Sequence, residues 1–93
     1  MSKILIADSG FTKTDWRLIK ADGSIEQART QGINPYYQTE EEMQEVIQNL
    51  YGQIPESMDQ IYFYGTGCSS GTNREKIAKI LNKYYAKANV DVN

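Results

Sequence analysis

Four apolar residues in a row, Ile4-Leu5-Ile6-Ala7, stop abruptly at Asp8-Ser9-Gly10. A short apolar run bounded by a turn signal reads as a strand buried on both faces, although periodicity alone does not separate it from a piece of buried helix. We place this first strand at Lys3 to Asp8. Ser9-Gly10-Phe11 supplies a turn, because glycine takes backbone angles that a Cβ forbids. Thr14 to Lys20 then reads as a second strand running back. The product is a β-hairpin whose tip carries a carboxylate (Asp8), a glycine (Gly10), two hydroxyls (Thr12, Thr14) and an ammonium (Lys13).

These groups suit phosphate. Backbone N–H groups and hydroxyls in a tight turn wrap phosphate oxygens, and a lysine adds a point charge. A strand-end carboxylate can hold Mg²⁺, directly or through water. An ordinary hairpin with a polar tip has the same composition, so the residues alone leave both readings open.

The rest of the chain predicts the sheet this hairpin belongs to. Ala21-Asp22-Gly23 is a hairpin turn, and Ser24 to Gln31 a third strand. Its alternation is weak, with Ile25 its one large apolar residue, which suits a sheet edge. Gly32-Ile33-Asn34-Pro35-Tyr36-Tyr37 is a loop. Thr39 and Glu42 form a capping box, and Glu40, Glu41 and Glu42 suit the positive end of a helix dipole. Met43, Val46, Ile47, Leu50 and Tyr51 share one helix face, and Gly52 and Pro55 end that helix. Asp59 to Tyr64 is a fourth strand, rich in aromatic residues. After the loop Gly65 to Gly71, a second capping box (Thr72 to Glu75) opens a helix with Ile77, Ile80, Leu81, Tyr84, Tyr85 and Ala88 on one face. Asn89 ends it and Val90 opens a fifth strand. The order is βββαβαβ, an α/β fold with a mixed sheet. Three antiparallel strands come first. The later strands, reached by right-handed helical crossovers, run parallel to the first.

Composition narrows the partners. A chain of 93 residues makes one domain, and a net charge of −2 gives no reason to expect nucleic acid or an anionic membrane. No apolar run approaches the roughly 18 residues of a membrane span. Met1-Ser2-Lys3 leads straight into a strand, with no secretory signal. Cys68 is the only cysteine, so no internal disulfide forms and a reducing cytoplasm fits. The absence of histidine and the single cysteine argue against a structural zinc site.

Two further loops are candidate binding elements. Gly65, Thr66 and Gly67 lie after a strand and before a helix, the end of an α/β sheet where ligands bind. Ser69 and Ser70 add hydroxyls. The segment lacks the Gly-Lys-Ser/Thr of a Walker loop, and a flexible connection of small residues explains it equally. The Asn34 amide offers one acceptor and two donors, which suits sugar hydroxyls; an Asn-Pro turn is the commoner explanation of the pair. Tyr36 and Tyr37 offer either an apolar floor or surface packing. Cys68 has no histidine to act as its base and reads as structural.

Asp8-x-Gly10-x-Thr12-x-Thr14 after an apolar strand resembles the first phosphate motif of the actin-like ATPase and sugar-kinase superfamily. The wider pattern, ADSGFTKTDW followed by GINPYY and YFYGTGC, is similar to the N-acetylglucosamine kinases and, more broadly, to the BadF/BadG/BcrA/BcrD-type ATPases. It covers nearly the whole chain in the same order. The resemblance implies a ribonuclease-H-like half domain that uses ATP and Mg²⁺. Asp8 would organise the metal, and Gly10, Thr12, Lys13 and Thr14 would meet the phosphates. Asn34, Gly65, Thr66 and Gly67 would border an amino sugar. Such kinases have two lobes and are several times longer, so residues 1–93 read as an N-terminal lobe. Its partner would be the C-terminal lobe, with the second phosphate loop and the adenine site. The general base of that family ends the fifth strand and would lie beyond Asn93, since Asp91 falls inside the strand. The resemblance leaves two alternatives, an ATPase that activates a partner enzyme and a folding domain with no activity. It also leaves a homodimer open. An iron–sulfur cluster, carried by some of those ATPases, would need Cys68 from two subunits.

Overall fold

A computed structural model describes residues 3–65, 67–68 and 70–93. In the first strand, β1 (Ile4–Ser9), Leu5, Ala7 and Ser9 are buried while Ile4, Ile6 and Asp8 are not. The apolar run is therefore covered on one face, not on both as its composition predicted. The reason is the placement of the two helices, α1 (Glu40–Gln53) and α2 (Gly71–Tyr84), whose apolar residues join one cluster with Leu5 and Ala7.

Strand β2 (Lys13–Ile19) pairs antiparallel with β1, setting Ala7 opposite Trp16 and Asp8 opposite Asp15. Strand β3 (Ile25–Gln31) pairs antiparallel with β2 at the sheet edge, where its weak alternation placed it. Strands β4 (Gln60–Gly65) and β5 (Asn89–Val92) extend the sheet in parallel on the other side, giving the order β3-β2-β1-β4-β5. The fold is α/β with a mixed sheet, three strands antiparallel and the rest parallel, the half-domain architecture implied by the resemblance. Among the described residues, no helix is long and apolar enough to cross a membrane.

Local chemistry sets the helix ends. Both halves of the Thr39 capping box form: the Glu42 amide donates to Thr39 Oγ1 at 3.2 Å, and the Thr39 amide to Glu42 Oε1 at 2.9 Å. Gly52 does not end α1 but lies inside it. The helix stops at Ile54, because a residue followed by proline is driven out of the helical region. The second helix starts earlier than expected. Ser70, not Thr72, is its cap, accepting from the Asn73 amide at 3.1 Å. Nor does Asn89 end it: α2 closes at Tyr84 and Asn89 opens β5. Asn82 Nδ2 bridges the turn between them, donating to the carbonyls of Tyr85 and Ala88.

Trp16, Phe63 and Tyr85 are the largest fully buried side chains. Each large apolar side chain removed from water contributes about 1.5–3 kcal/mol, and the polar atoms among them are satisfied. Trp16 Nε1 donates to Thr30 Oγ1 at 2.9 Å, and the Tyr85 hydroxyl donates to the Ile54 carbonyl at 2.8 Å. Burial, with Tyr51 adding to it, pushes the Tyr85 pKa well above the ordinary value. The fold thus holds the neutral phenol, while an unfolded tyrosine ionises near pH 10. Stability from this group is complete below about pH 10 and is lost as pH rises above it. The denaturation midpoint should fall more steeply from about pH 10 upward in the native chain than in Tyr85→Phe, which has no proton to lose there. Parallel slopes in the two proteins would exclude Tyr85 as the cause.

Candidate functional site

Three loops meet at one end of the sheet. Ser9 and Gly65, the last residues of β1 and β4, lie side by side in the parallel register. The turn between β1 and β2 closes with the Gly10 amide donating to the Lys13 carbonyl at 2.9 Å. The segment between β3 and α1 passes directly against that turn. A Cβ on Gly32 would lie 2.3 Å from the Gly10 carbonyl oxygen and 2.5 Å from that of Phe11. Further out, the Phe11 and Tyr37 rings touch, with centroids 5.7 Å apart.

Beneath the turn is a buried polar chain. The Ile33 amide donates to Ser9 Oγ at 3.0 Å, Ser9 Oγ lies 2.8 Å from Thr14 Oγ1, and the Thr14 hydroxyl donates to the Gln31 carbonyl at 3.0 Å. Thr14 is fully buried. Its hydroxyl is committed inside the hairpin neck, where the motif had suggested a phosphate contact. The groups that reach the tip are Gly10, Thr12 and Lys13, the last two exposed.

Asp8 is exposed on the face of the sheet that carries no helix. Its carboxylate accepts no hydrogen bond among the described residues. With Ile6, Asp15 and Arg17 it lines a shallow cleft of about 190 Å³. Asp15 is engaged elsewhere: Arg29 Nε donates to it at 2.8 Å and holds its pKa below the ordinary carboxylate value. No three metal-ligating side chains gather among the described residues. One available carboxylate fits Mg²⁺ all the same, because that ion keeps several waters and takes the rest of its ligands from phosphate oxygens.

Asn34 is buried at the centre of the second loop. Its Oδ1 accepts from the Tyr36 amide at 3.0 Å, the side-chain turn that an Asn-Pro pair predicts. Gln38 clamps the same loop, its Oε1 accepting from the Asn34 amide at 2.7 Å and its Nε2 donating to the Gly32 carbonyl at 2.9 Å. Asn34 Nδ2 makes no hydrogen bond among the described residues, which leaves a donor.

The third loop abuts this residue. Gly67 has a positive φ of 79°, and a Cβ there would lie 2.7 Å from Asn34 Oδ1. Asn73 Nδ2 and Arg74 Nη1, from the first turns of α2, donate to the carbonyls of Gly67 and Cys68. Gly65 packs on the Phe63 ring. Thr66 and Ser69 lie outside the described residues. Cys68 is buried, and burial pushes its thiol pKa up, the opposite of an activated nucleophile.

The structure thus brings Gly10, Asn34 and Gly67 to one end of the sheet, with Asp8 beside them on its open face. Sequence reasoning missed Ser9, Gly32 and Gln38. Ser9 was visible only as part of a turn, and nothing local marks Gly32 as a point of close approach.

No protein-family model matches the chain, and no curated protein matches it. Solved structures do match. One is the crystal structure of the "Putative N-acetylglucosamine Kinase" from Porphyromonas gingivalis, with 32% sequence identity and a TM-score of 0.75. The match covers 96% of this chain and 33% of that one, so the chain spans about a third of the length of its structural relative.

Proposed function

We propose that this chain is the N-terminal lobe of an ATP-dependent amino-sugar kinase, which moves a phosphoryl group from Mg-ATP to a hydroxyl of an N-acetylglucosamine-like sugar. The observation that carries the reading is the meeting of the Asp8–Lys13 hairpin, Asn34 and Gly67 at one sheet end, in a chain 32% identical to the Porphyromonas gingivalis protein. Phosphoryl transfer asks a protein mainly for positioning and charge neutralisation. Asp8 would hold Mg²⁺ through its water shell. The Gly10 turn, Thr12 and Lys13 would meet phosphate oxygens, and Thr14 would support the turn from below. Asn34 Nδ2, Gly65, Thr66 and Gly67 would border the sugar. A C-terminal lobe would supply the adenine contacts, the second phosphate loop and a general base beyond Asn93. The reading places the kinase in the cytoplasm. By itself the chain would bind ATP weakly and turn over no sugar, because loss of the base alone costs roughly 10²–10⁴ in rate.

A second reading, an ATPase that activates a partner enzyme, is favoured by one fact: Asn34 Oδ1 is already occupied by its own turn. That ATPase would need the hairpin and not the Asn34 donor. Asn34→Asp separates the two, since it keeps the turn acceptor and removes the donor. In the two-lobed protein it should weaken sugar binding by about 1–3 kcal/mol, and the charge it adds beside the Gly10 turn should weaken nucleotide binding to a smaller extent. A sugar KM and kcat equal to the unsubstituted protein's across a panel of amino sugars would transfer the assignment to the second reading.

A further inference from the structure

Three contacts join the turn at Gly10 to the loop at Asn34: the Ser9–Ile33 hydrogen bonds, the passage of Gly32 across the Gly10 and Phe11 carbonyls, and the Phe11–Tyr37 ring contact. Two of these depend on shape. The third runs through a single hydroxyl. Ser9 Oγ accepts from the Ile33 amide, neighbours Thr14 Oγ1 at 2.8 Å and lies 3.2 Å from the Ile33 carbonyl. One hydroxyl has one proton to give. Thr14 gives its own to Gln31, so the proton of Ser9 serves Thr14 or Ile33. When it serves Thr14, the shorter of the two contacts, a directed chain runs from the Ile33 amide through Ser9 and Thr14 to the Gln31 carbonyl, in a buried site where each bond polarises the next.

We propose that Ser9 is a positioning residue that couples the two halves of the site, so that an anion drawn into the Gly10–Lys13 turn reorders Ile33 and Asn34. The inference rests on the phosphate reading of the hairpin. It adds that phosphate occupancy prepares the neighbouring loop for its own ligand. The coupling is reciprocal, as all binding linkage is. Any ligand that fixes Asn34 also tightens the turn.

The test uses the ¹⁵N-labelled chain with Mg²⁺ and pyrophosphate as the probe. In the unsubstituted chain, amide shifts at Gly10 to Lys13 should be accompanied by shifts at Ile33, Asn34 and Tyr37. In Ser9→Ala the first group should still move and the second should not. Thr14→Ser keeps the hydroxyl and should keep the joint response; Thr14→Val should lose it. Without any probe, amide exchange at Ile33 should be about tenfold faster in Ser9→Ala, the effect of losing one hydrogen bond. A second group that responds equally in Ser9→Ala, or that never responds while the turn does, overturns the coupling. If pyrophosphate leaves even the turn unmoved at concentrations high enough for the weak binding expected of this lobe alone, the phosphate reading fails. The role of Ser9 is then decided by exchange, and unchanged exchange at Ile33 removes it.

Discussion

Gly32→Ala is expected to destabilise the chain by about 3 kcal/mol or more, a fall in Tm of roughly 12–24 °C for a domain this size. The added Cβ would lie 2.3 and 2.5 Å from two carbonyl oxygens, both backbone atoms of the Gly10 turn. A flexible side chain could swing aside, but a hydrogen-bonded turn has no such freedom. Either the turn lifts away from the loop and breaks the Ser9–Ile33 bonds, or the clash is retained as strain. A small domain has a limited margin against such a cost. Gly52→Ala is the control, because nothing lies within 4 Å of a Cβ there and the residue is inside α1. That substitution should stabilise by up to about 1 kcal/mol. Thermal melts of both variants give the answer. A Gly32→Ala chain melting with the native one would mean that turn and loop are not packed together.

The contrast between glycines shows where the sequence was legible. Gly10 was read as a residue needed for its backbone angles, yet its φ is not positive and a Cβ would sit in ordinary contact, 3.8 Å from the Lys13 carbonyl. The fold itself does not require glycine at that position. Gly32 is required, but by atoms far away in the chain, and no local pattern reports such an approach. The Thr39 capping box was legible because its partners lie within one helical turn. The cap of α2 was misread because Ser70 and Thr72 are both competent residues. The choice between them goes with Asn73 and Arg74 reaching back to the Gly67 and Cys68 carbonyls. The same holds for Thr14. The motif shows a threonine, but whether its hydroxyl faces a ligand or Ser9 depends on which face of β2 is buried. The alternation of Trp16 and Leu18 with Asp15 and Arg17 sets Thr14 on the buried face; what it leaves out is Ser9, which meets Thr14 only through the β1–β2 register.

Asp8→Ala in the two-lobed protein should cut phosphoryl transfer by about 10²-fold or more while leaving the fold as stable as before, or slightly more stable. The stability half follows from position. Asp8 is exposed and faces another carboxylate, Asp15, across the β1–β2 ladder. Like charges directly opposite in a sheet are unfavourable by a few tenths of a kcal/mol, so removing one relieves a small repulsion. The pairing of Asp15 with Arg29 is untouched. The activity half follows from charge. Transferring a γ-phosphoryl group spreads negative charge over oxygens that Mg²⁺ must neutralise, and Asp8 is the available carboxylate at the end of β1 to hold that ion near the turn. Asp8→Asn sharpens the test, since it preserves shape and removes only the charge. If charge matters, Asn should be nearly as poor as Ala, and raising Mg²⁺ should recover part of the lost rate in both. A core residue would behave in the opposite way, losing stability and activity together. Full turnover in Asp8→Ala would detach the metal from this strand and, with it, the phosphate assignment of the hairpin.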